Sequence, residues 1–138
     1  MTIRMPNESA AYRTARDHLL AAEIQLRNQM EKLAELRRAL PDGGAPPQDY
    51  LFRDTDGSPA PLSSLFAEGQ DTLAVYSLMY GPDADRPCPM CSAFLDSLHG
   101  QMPHIASRIS FAVVAQSSPT RLKTLQSDMD WQDMRLYS

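Results

Sequence analysis

The sequence predicts an α/β domain built on a parallel βαβ unit and preceded by a long helix. Two short and almost continuously apolar segments, 72–79 and 109–115, are typical of buried strands. Between them, residues 88–99 have the apolar spacing of an amphipathic helix. The third observation is a heptad-like apolar seam over residues 8–40. Strands joined by one helix are expected to lie parallel, with a right-handed crossover.

The long helix is expected over residues 8–40, with Asn7 as its N-cap and Glu8 in the first turn, where negative charge is favoured. Its apolar side chains recur mostly at spacings of three and four: Tyr12, Ala15, Leu19, Ala22, Leu26, Met30, Leu33, Leu36 and Leu40. At about 1.5 Å per residue it spans on the order of 50 Å. A domain of about 100 residues has a radius of gyration of only about 13 Å. Two interpretations remain open, a helix packed on the flank of its domain and a dimerisation arm.

Composition divides the chain into residues 1–40 as the helical arm, 41–49 as a Pro- and Gly-rich linker, and 50–138 as the domain. In the domain, shorter elements are expected beside the βαβ unit. They are a strand at Tyr50-Leu51-Phe52, a hairpin turn at 54–57, a helical turn at 62–66, and a helix capped by Ser118 with Pro119 at its first position.

Composition also restricts the function classes. A chain of 138 residues, 43% hydrophobic and 22% charged, can bury one core and is typical of a soluble globular protein. Its net charge of −4 provides no attraction for nucleic acid or an anionic membrane, and no segment reaches the roughly eighteen apolar residues of a membrane helix. Because the N-terminus lacks the apolar run of a signal peptide, we expect a cytoplasmic protein. Two cysteines there are redox-active or metal-binding rather than a permanent cross-link.

Both cysteines lie in Arg86-Pro87-Cys88-Pro89-Met90-Cys91, at the start of the predicted 88–99 helix. Cys91 shares the apolar stripe of that helix with Phe94, Leu95 and Leu98, so it should face the core. Cys88 lies at the helix start and should be more exposed. One reachable and one covered sulfur is the asymmetry that a dithiol exchanger needs, because the exposed thiolate attacks and the covered thiol resolves the mixed disulfide.

The helix N-terminus supplies unpaired N–H groups and a partial positive charge, which favour a thiolate at Cys88. Pro89 suits the first turn because its missing N–H is not needed there. Arg86 adds positive potential, whereas Asp83 and Asp85 oppose it.

Three interpretations of the cysteines compete: a redox dithiol, a metal site and two ordinary core residues. Cys88, Cys91, His99 and His104 would together make four ligands of the two types that zinc accepts most readily, thiolate and imidazole. However, Cys91 and His99 would be about 12 Å apart along one helix, whereas ligands of one zinc lie within about 4 Å of each other. A zinc ion shared between two chains, with two cysteines from each, stays open.

Five other residues are weaker candidates. His99 is expected to be solvated or capping near a helix end, and His104 follows Pro103 in a loop. Asp96 either accepts a proton from Cys91 or lies on a solvated helix face. Trp131 and Tyr137 are expected in the core or on its flank.

These motifs resemble the thioredoxin-like superfamily, and Cys88-Pro89-Met90-Cys91 is similar to the glutaredoxin-type Cys-Pro-x-Cys variant. The segment from Asp56-Gly57 through Leu62-Ser63-x-Leu65-Phe66 to Gly69 is similar to the entry into peroxiredoxin-like folds. More closely, nearly the whole chain resembles an uncharacterised bacterial thioredoxin-like family. The residues that carry this resemblance are Arg37-Arg38-Ala39-Leu40-Pro41, Tyr50-x-Phe52, Met79-Tyr80-Gly81-Pro82, Cys88-Pro89-x-Cys91-Ser92, Pro103-His104 and Arg108-x-x-Phe111-x-Val113-Val114. The resemblance implies a thioredoxin-like fold and a thiol–disulfide role, and it supplies no substrate.

The sequence departs from the thioredoxin-like pattern at its C-terminus. A complete thioredoxin fold continues with a β-hairpin and a final helix, and a cis-proline that flanks the dithiol begins that hairpin. This chain ends at Ser138, where that ββα part would begin, and Pro119 is instead a helix-start proline. The expectation is a C-terminally short member, or one whose missing sheet edge a partner supplies.

The leading hypothesis is therefore a thiol–disulfide oxidoreductase in which Cys88 attacks and Cys91 resolves, with Pro87, Pro89 and Met90 flanking the dithiol. No dissociable cofactor and no metal are expected, and the partners are protein or small-molecule thiols and disulfides. A peroxidase is less favoured because no Thr-x-x-Cys pattern is present. The alternative is a non-catalytic dimeric module held by the N-terminal helix, with structural or zinc-binding cysteines.

Overall fold

The computed structural model describes residues 5–138, and the chain divides after Ala45 into two compact units. The first contains helix α1, Ala10–Arg38, whose N-cap is Ser9. The Ser9 hydroxyl accepts a hydrogen bond from the Tyr12 backbone N–H at 3.1 Å, while Asn7 adopts a left-handed φ of 63°. The prediction of Asn7 as the cap was therefore wrong. Asn7 tolerates the left-handed conformation that turns the chain, and Ser9 satisfies the free N–H.

The second unit contains the predicted βαβ core. Its elements are β1 (Leu51–Arg53), β2 (Pro59–Pro61), a 3-10 turn (Leu62–Leu65), β3 (Leu73–Ser77), α2 (Pro89–His99), α3 (Met102–Ala106), β4 (Ser110–Val114), α4 (Pro119–Asp128) and β5 (Leu136–Tyr137). Strands β3 and β4 pair in parallel, with Val75 opposite Ala112. The α/β fold class with a long N-terminal helix is thus confirmed.

Strand β5 is an element that the sequence did not indicate. The sheet order is β3-β4-β5, and β5 lies parallel to β4 with Leu136 opposite Val113. Two residues are too few to show an alternating pattern. Burial of Trp131, Met134 and Leu136, each at most 2% exposed, anchors the chain beside β4.

The hairpin of β1 and β2 is a separate sheet that meets β5 through one isolated antiparallel bridge, between Asp54 and Tyr137. Arg53 N–H donates to the Ser138 carbonyl at 3.0 Å, and Ser138 N–H donates to the Arg53 carbonyl at 2.7 Å. Gly57, with φ of 85°, provides the left-handed residue of the hairpin turn. The hairpin therefore satisfies backbone groups that would otherwise face outward from β5.

Alternation along the strands gives the sheet two packed faces. Val113 and Leu136 join a core cluster with α2 and α4 that includes Leu95, Leu122 and Trp131. Residues of opposite parity join the second cluster with the hairpin and the 3-10 turn: Ala60, Leu65, Ala112 and Tyr137. Trp131 and Tyr137 are core residues, as predicted. None of the helices in the described part of the chain combines the length and apolarity that a membrane crossing requires.

Candidate functional site

Cys88 and Cys91 lie where the chain passes from β3 through a loop into α2. Cys88 is the N-cap of α2, and Pro89 occupies the first helical position. This placement agrees with the predicted strand, loop and helix. The cysteine pair is thus at the carboxyl end of β3, where parallel α/β sheets place their ligand sites.

The two sulfurs differ in exposure, as the apolar stripe predicts. Cys91 is 6% exposed and packs with Leu95, which is fully buried, whereas Cys88 is partly buried; both are free thiols. Phe94 departs from the expected stripe because it is 46% exposed. Its ring instead stacks on Tyr76 of β3, with centroids 5.1 Å apart and an interplanar angle of 23°.

The Met79 backbone lies beside both cysteines. Cys88 N–H donates to the Met79 carbonyl at 2.9 Å, and the Met79 backbone lowers the pKa of the Cys91 thiol. The segment that follows β3 therefore fixes the N-cap of α2. The Met79 side chain is 65% exposed.

Tyr76 supplies the strongest electrostatic influence on Cys91. Its hydroxyl lowers the pKa of the Cys91 thiol most, the Met79 backbone acts in the same direction, and burial acts against them. The same contact raises the pKa of Tyr76. Nothing in the sequence pointed to Tyr76, because a tyrosine within an apolar strand is ordinarily a core residue.

Arg121 on α4 holds the loop that leads to Cys88. Its guanidinium donates to the carbonyls of Gly81 at 3.1 Å and Pro82 at 2.7 Å, and to that of Ala84. It also lies over the Tyr80 ring, 4.4 Å from the centroid. Nothing in the sequence linked Arg121 to the cysteines, because the contact joins a loop to a helix that follows a further strand.

Two cavities adjoin the segment that carries the cysteines. One, of about 570 Å³, is lined partly by Pro87, Ser92 and Arg121. Ser92 lies one helical turn after Cys88, so this cavity opens on the same side of α2 as Cys88. The other, of about 760 Å³, lies beyond the carboxyl ends of β3 and β4 and includes Met79 in its wall. Both fall within the volume range of small-molecule sites.

The remaining candidates lie apart from the dithiol chemistry. Asp96 is exposed on α2, as expected for a solvated helix face, and it also accepts a hydrogen bond from the Trp131 indole N–H at 2.8 Å, a contact that the sequence did not indicate. His99 ends α2 and His104 lies in α3, a helix where a loop was expected. Over residues 5–138, no group of three or more His, Cys, Asp or Glu side chains is arranged to hold a metal ion.

The chain is an α/β protein whose parallel βαβ unit has its helix beginning at a Cys-x-x-Cys pair, the arrangement that the resemblance to thioredoxin-like proteins implies. The chain belongs to a bacterial family of unknown function, DUF899, which matches residues 1–138. The predicted membership of an uncharacterised bacterial family is thereby confirmed. A search of the curated proteins gives no match.

Among solved structures, the chain is similar to BsSco, a member of the Sco family of cytochrome c oxidase assembly proteins in which a disulfide switch was identified. The two chains are 16% identical, with a TM-score of 0.43. The similar region covers 66% of this chain and 54% of that chain, so this chain spans about half the length of the BsSco structure.

Proposed function

We propose that this protein is a thiol–disulfide oxidoreductase in which Cys88 attacks and Cys91 resolves. The observation that supports this proposal most directly is the unequal burial of the two sulfurs. Cys88 is partly buried at the start of α2, whereas Cys91 is buried and its thiol pKa is lowered by Tyr76 and by the Met79 backbone. A resolving cysteine must be shielded from substrate and still form a competent thiolate, and this environment meets both requirements.

The exchange proceeds in two steps. The Cys88 thiolate attacks a substrate disulfide, forms a mixed disulfide and releases one substrate thiolate. The Cys91 thiolate then attacks the Cys88 sulfur, forms the Cys88–Cys91 disulfide and releases the second substrate thiolate. The substrate gains two electrons and the dithiol loses two, so the chemistry requires no dissociable cofactor. A cellular dithiol or glutathione reduces the pair again.

The substrate is a protein or small-molecule disulfide that contacts the surface around Cys88. Pro89 and Met90 are exposed and Pro87 is partly buried, and the Met90 side chain is 78% exposed. An exposed methionine beside the attacking sulfur offers a flexible apolar contact that adapts to different partners. These three residues flank the dithiol and are proposed to contact substrate.

The test is a redox titration of the full chain in glutathione buffers, with alkylation and mass spectrometry to count free thiols. We expect a reversible two-electron disulfide, a stable mixed disulfide for Cys91→Ser, and none for Cys88→Ser. Failure of the wild-type protein to form a reversible Cys88–Cys91 disulfide would contradict the proposal. Metal analysis of the same sample addresses the alternative. About half a zinc atom per chain, lost on Cys88→Ser, would indicate an inter-chain zinc site instead.

A second proposal concerns α1, which we infer to be a dimerisation arm. No residue of this helix is buried, although it carries apolar side chains at heptad positions. Those at positions 12, 19, 26 and 33 are each about half exposed: Tyr12 53%, Leu19 51%, Leu26 59% and Leu33 48%. A second copy of the same seam would cover this stripe.

The solution mass of the full chain tests the arm. We expect a dimer that Leu26→Glu combined with Leu33→Glu converts into a monomer, because the charges would enter the seam. Asn28→Glu, at an exposed position off the seam, is the matched control and should leave the dimer intact. A wild-type monomer at micromolar concentration would rule out the arm without affecting the redox proposal.

A further inference from the structure

We propose that the outer edge of β3 binds the substrate as an added strand, so that the substrate is an extended stretch of polypeptide whose disulfide lies beside Cys88. This inference rests on the proposed function, because it names the substrate class of the same dithiol. It concerns backbone groups of the strand that precedes the Cys-x-x-Cys motif.

The side of β3 that faces away from β4 carries a row of free backbone groups. Strand β3 is the end strand of the β3-β4-β5 sheet. The Leu78 N–H donates to the Val114 carbonyl at 2.8 Å, so the residues of β3 at even positions direct their backbone groups towards β4. The residues at odd positions direct theirs outward, and within residues 5–138 no hydrogen bond reaches their N–H or C=O groups: Leu73, Val75 and Ser77.

Cys88 lies on the line that an added strand would follow. Met79 also occupies an odd position, and its outward carbonyl accepts from the Cys88 N–H at 2.9 Å. A strand pairs with its neighbour at a distance of about 4.8 Å, so a chain that pairs with Ser77 runs on towards Cys88. Strand addition to β3 therefore brings one end of the bound segment to the attacking sulfur.

Apolar side chains lie on both faces of this edge. Val75 is 47% exposed and pairs opposite Ala112, on the face that packs against the hairpin. On the other face, the Phe94 ring is 46% exposed and stacks on Tyr76. Side chains of an added strand alternate between the faces, so one set contacts Val75 and the other contacts Phe94. Strand β3 also lacks the charged residues, proline and bulge that protect exposed edges from pairing.

These features select an extended polypeptide as the occupant. Outward N–H and C=O groups that alternate along a strand match the main chain of another strand, which a small molecule does not offer. An uncharged apolar segment complements an edge without charged side chains. A second copy of the chain that paired through its own β3 would bring no disulfide to Cys88, because its two cysteines both lie at the start of α2.

Exchange on the bound segment balances in two steps. The Cys88 thiolate attacks the cysteine sulfur of the segment, a Cys88–segment disulfide forms, and the electron pair of the broken bond leaves on the other substrate sulfur. The Cys91 thiolate then attacks the Cys88 sulfur, and the segment departs as a thiolate. The substrate gains two electrons and the dithiol loses two.

The test uses the reduced full chain and an uncharged peptide of about ten residues, the length of a long strand. The peptide carries one cysteine near its end, joined by a disulfide to thionitrobenzoate, whose release is coloured. The same disulfide of N-acetylcysteine amide is the small substrate. We expect a second-order rate constant at least about tenfold higher for the peptide, because several backbone hydrogen bonds hold it. Equal rate constants for the two substrates would overturn the inference.

Backbone methylation of the peptide tests strand addition without changing the protein. Two isomers carry N-methyl groups on alternate residues, at odd or at even positions, and only one isomer blocks the N–H groups that face β3. That isomer should react about tenfold more slowly than the other. Equal rates for the two isomers would contradict the inference.

Val75→Pro removes an outward N–H of the protein at a position where an edge strand tolerates proline. The ratio of the peptide rate constant to that of the small substrate should fall by about tenfold. Leu51→Pro is the matched control, because Leu51 is 64% exposed and shares the outward parity of Arg53 on β1. Its ratio should equal that of the wild type, and equal ratios for the two proline variants would refute the inference.

Two other outcomes are distinguishable. A wild-type dimer that Val75→Pro dissociates and Leu51→Pro does not would place a second copy on the edge and overturn the inference. A wild-type protein that reacts with neither disulfide would instead refute the proposed function.

Discussion

Replacing Arg121 by methionine is expected to release the loop that leads into Cys88. Arg121 donates to the carbonyls of Gly81, Pro82 and Ala84 and lies over the Tyr80 ring. Methionine keeps an apolar stem of similar length but provides no donor and no charge. The three carbonyls therefore lose their shared partner in a single substitution.

The expected loss in the free energy of unfolding is about 2–4 kcal/mol. Gly81 and Ala84 are partly buried and Pro82 is exposed, so water can replace much of each lost hydrogen bond. Each bond then contributes about 0.5–1 kcal/mol, near the lower end of the usual range. The stacking of the guanidinium on Tyr80 adds about 0.5–1 kcal/mol.

Urea unfolding measures the loss, and an unchanged slope would show that the unfolded state is not altered. Iodoacetamide should also alkylate Cys88 of the folded, reduced variant faster, because the loop before it is no longer held. Arg108→Met is the control at an exposed arginine, with an expected change within about 0.5 kcal/mol. Arg121→Lys keeps the charge without the planar guanidinium, so its loss in the free energy of unfolding should lie between those of Arg121→Met and Arg108→Met. The reasoning would be refuted if Arg121→Met and Arg108→Met had the same unfolding free energy.

Three further predictions concern the core, the pH dependence and a helix cap. Asp96→Ala leaves the buried indole N–H of Trp131 unpaired and should lower the free energy of unfolding by about 1–3 kcal/mol. Asp96→Asn keeps an acceptor and should lower it less. Equal unfolding free energies of the two variants, measured by tryptophan fluorescence, would contradict this. Folding lowers the pKa of Cys91, so the free energy of unfolding of the reduced protein should rise relative to that of Cys91→Ser as the pH increases from the folded pKa towards about 8.5. Parallel pH profiles of the two unfolding free energies would contradict this. Ser118→Ala removes the N-cap of α4 and should cost about 1 kcal/mol in thermal or urea unfolding, and an equal loss for the exposed Ser127→Ala would argue against the cap.

Local patterns predicted the elements that form the site. Continuous apolar runs identified β3 and β4, and the stripe on α2 identified Cys91 as the buried sulfur. Ser118 was recognised as the cap of α4 because capping is a contact between residues close in sequence. These features depend on periodicity or on neighbours within one helical turn, and a single sequence contains that information.

Elements that depend on distant contacts were missed or misread. Strand β5 exists because buried Trp131 and Met134 place two residues beside β4, not because those residues have a strand pattern. The sequence placed Asp96 on a helix face, but its hydrogen bond from the Trp131 indole depends on how the segment after α4 packs against α2. In both cases the contact that determines the local structure joins residues that are not related by a helical or strand repeat in the sequence.

The sequence by itself determined that two cysteines lie at the start of a helix, with Cys88 more accessible than Cys91. Helical geometry and the apolar stripe are local, so the pattern was sufficient. Only the tertiary structure decided which residues act on the cysteines and on their loop: Tyr76 and Met79 lower the pKa of Cys91, the Met79 carbonyl accepts from the Cys88 N–H, and the Arg121 guanidinium holds the loop. The physical reason is that hydrogen bonds require distances near 3 Å, and those between β3, the loop and two helices depend on how the whole domain packs.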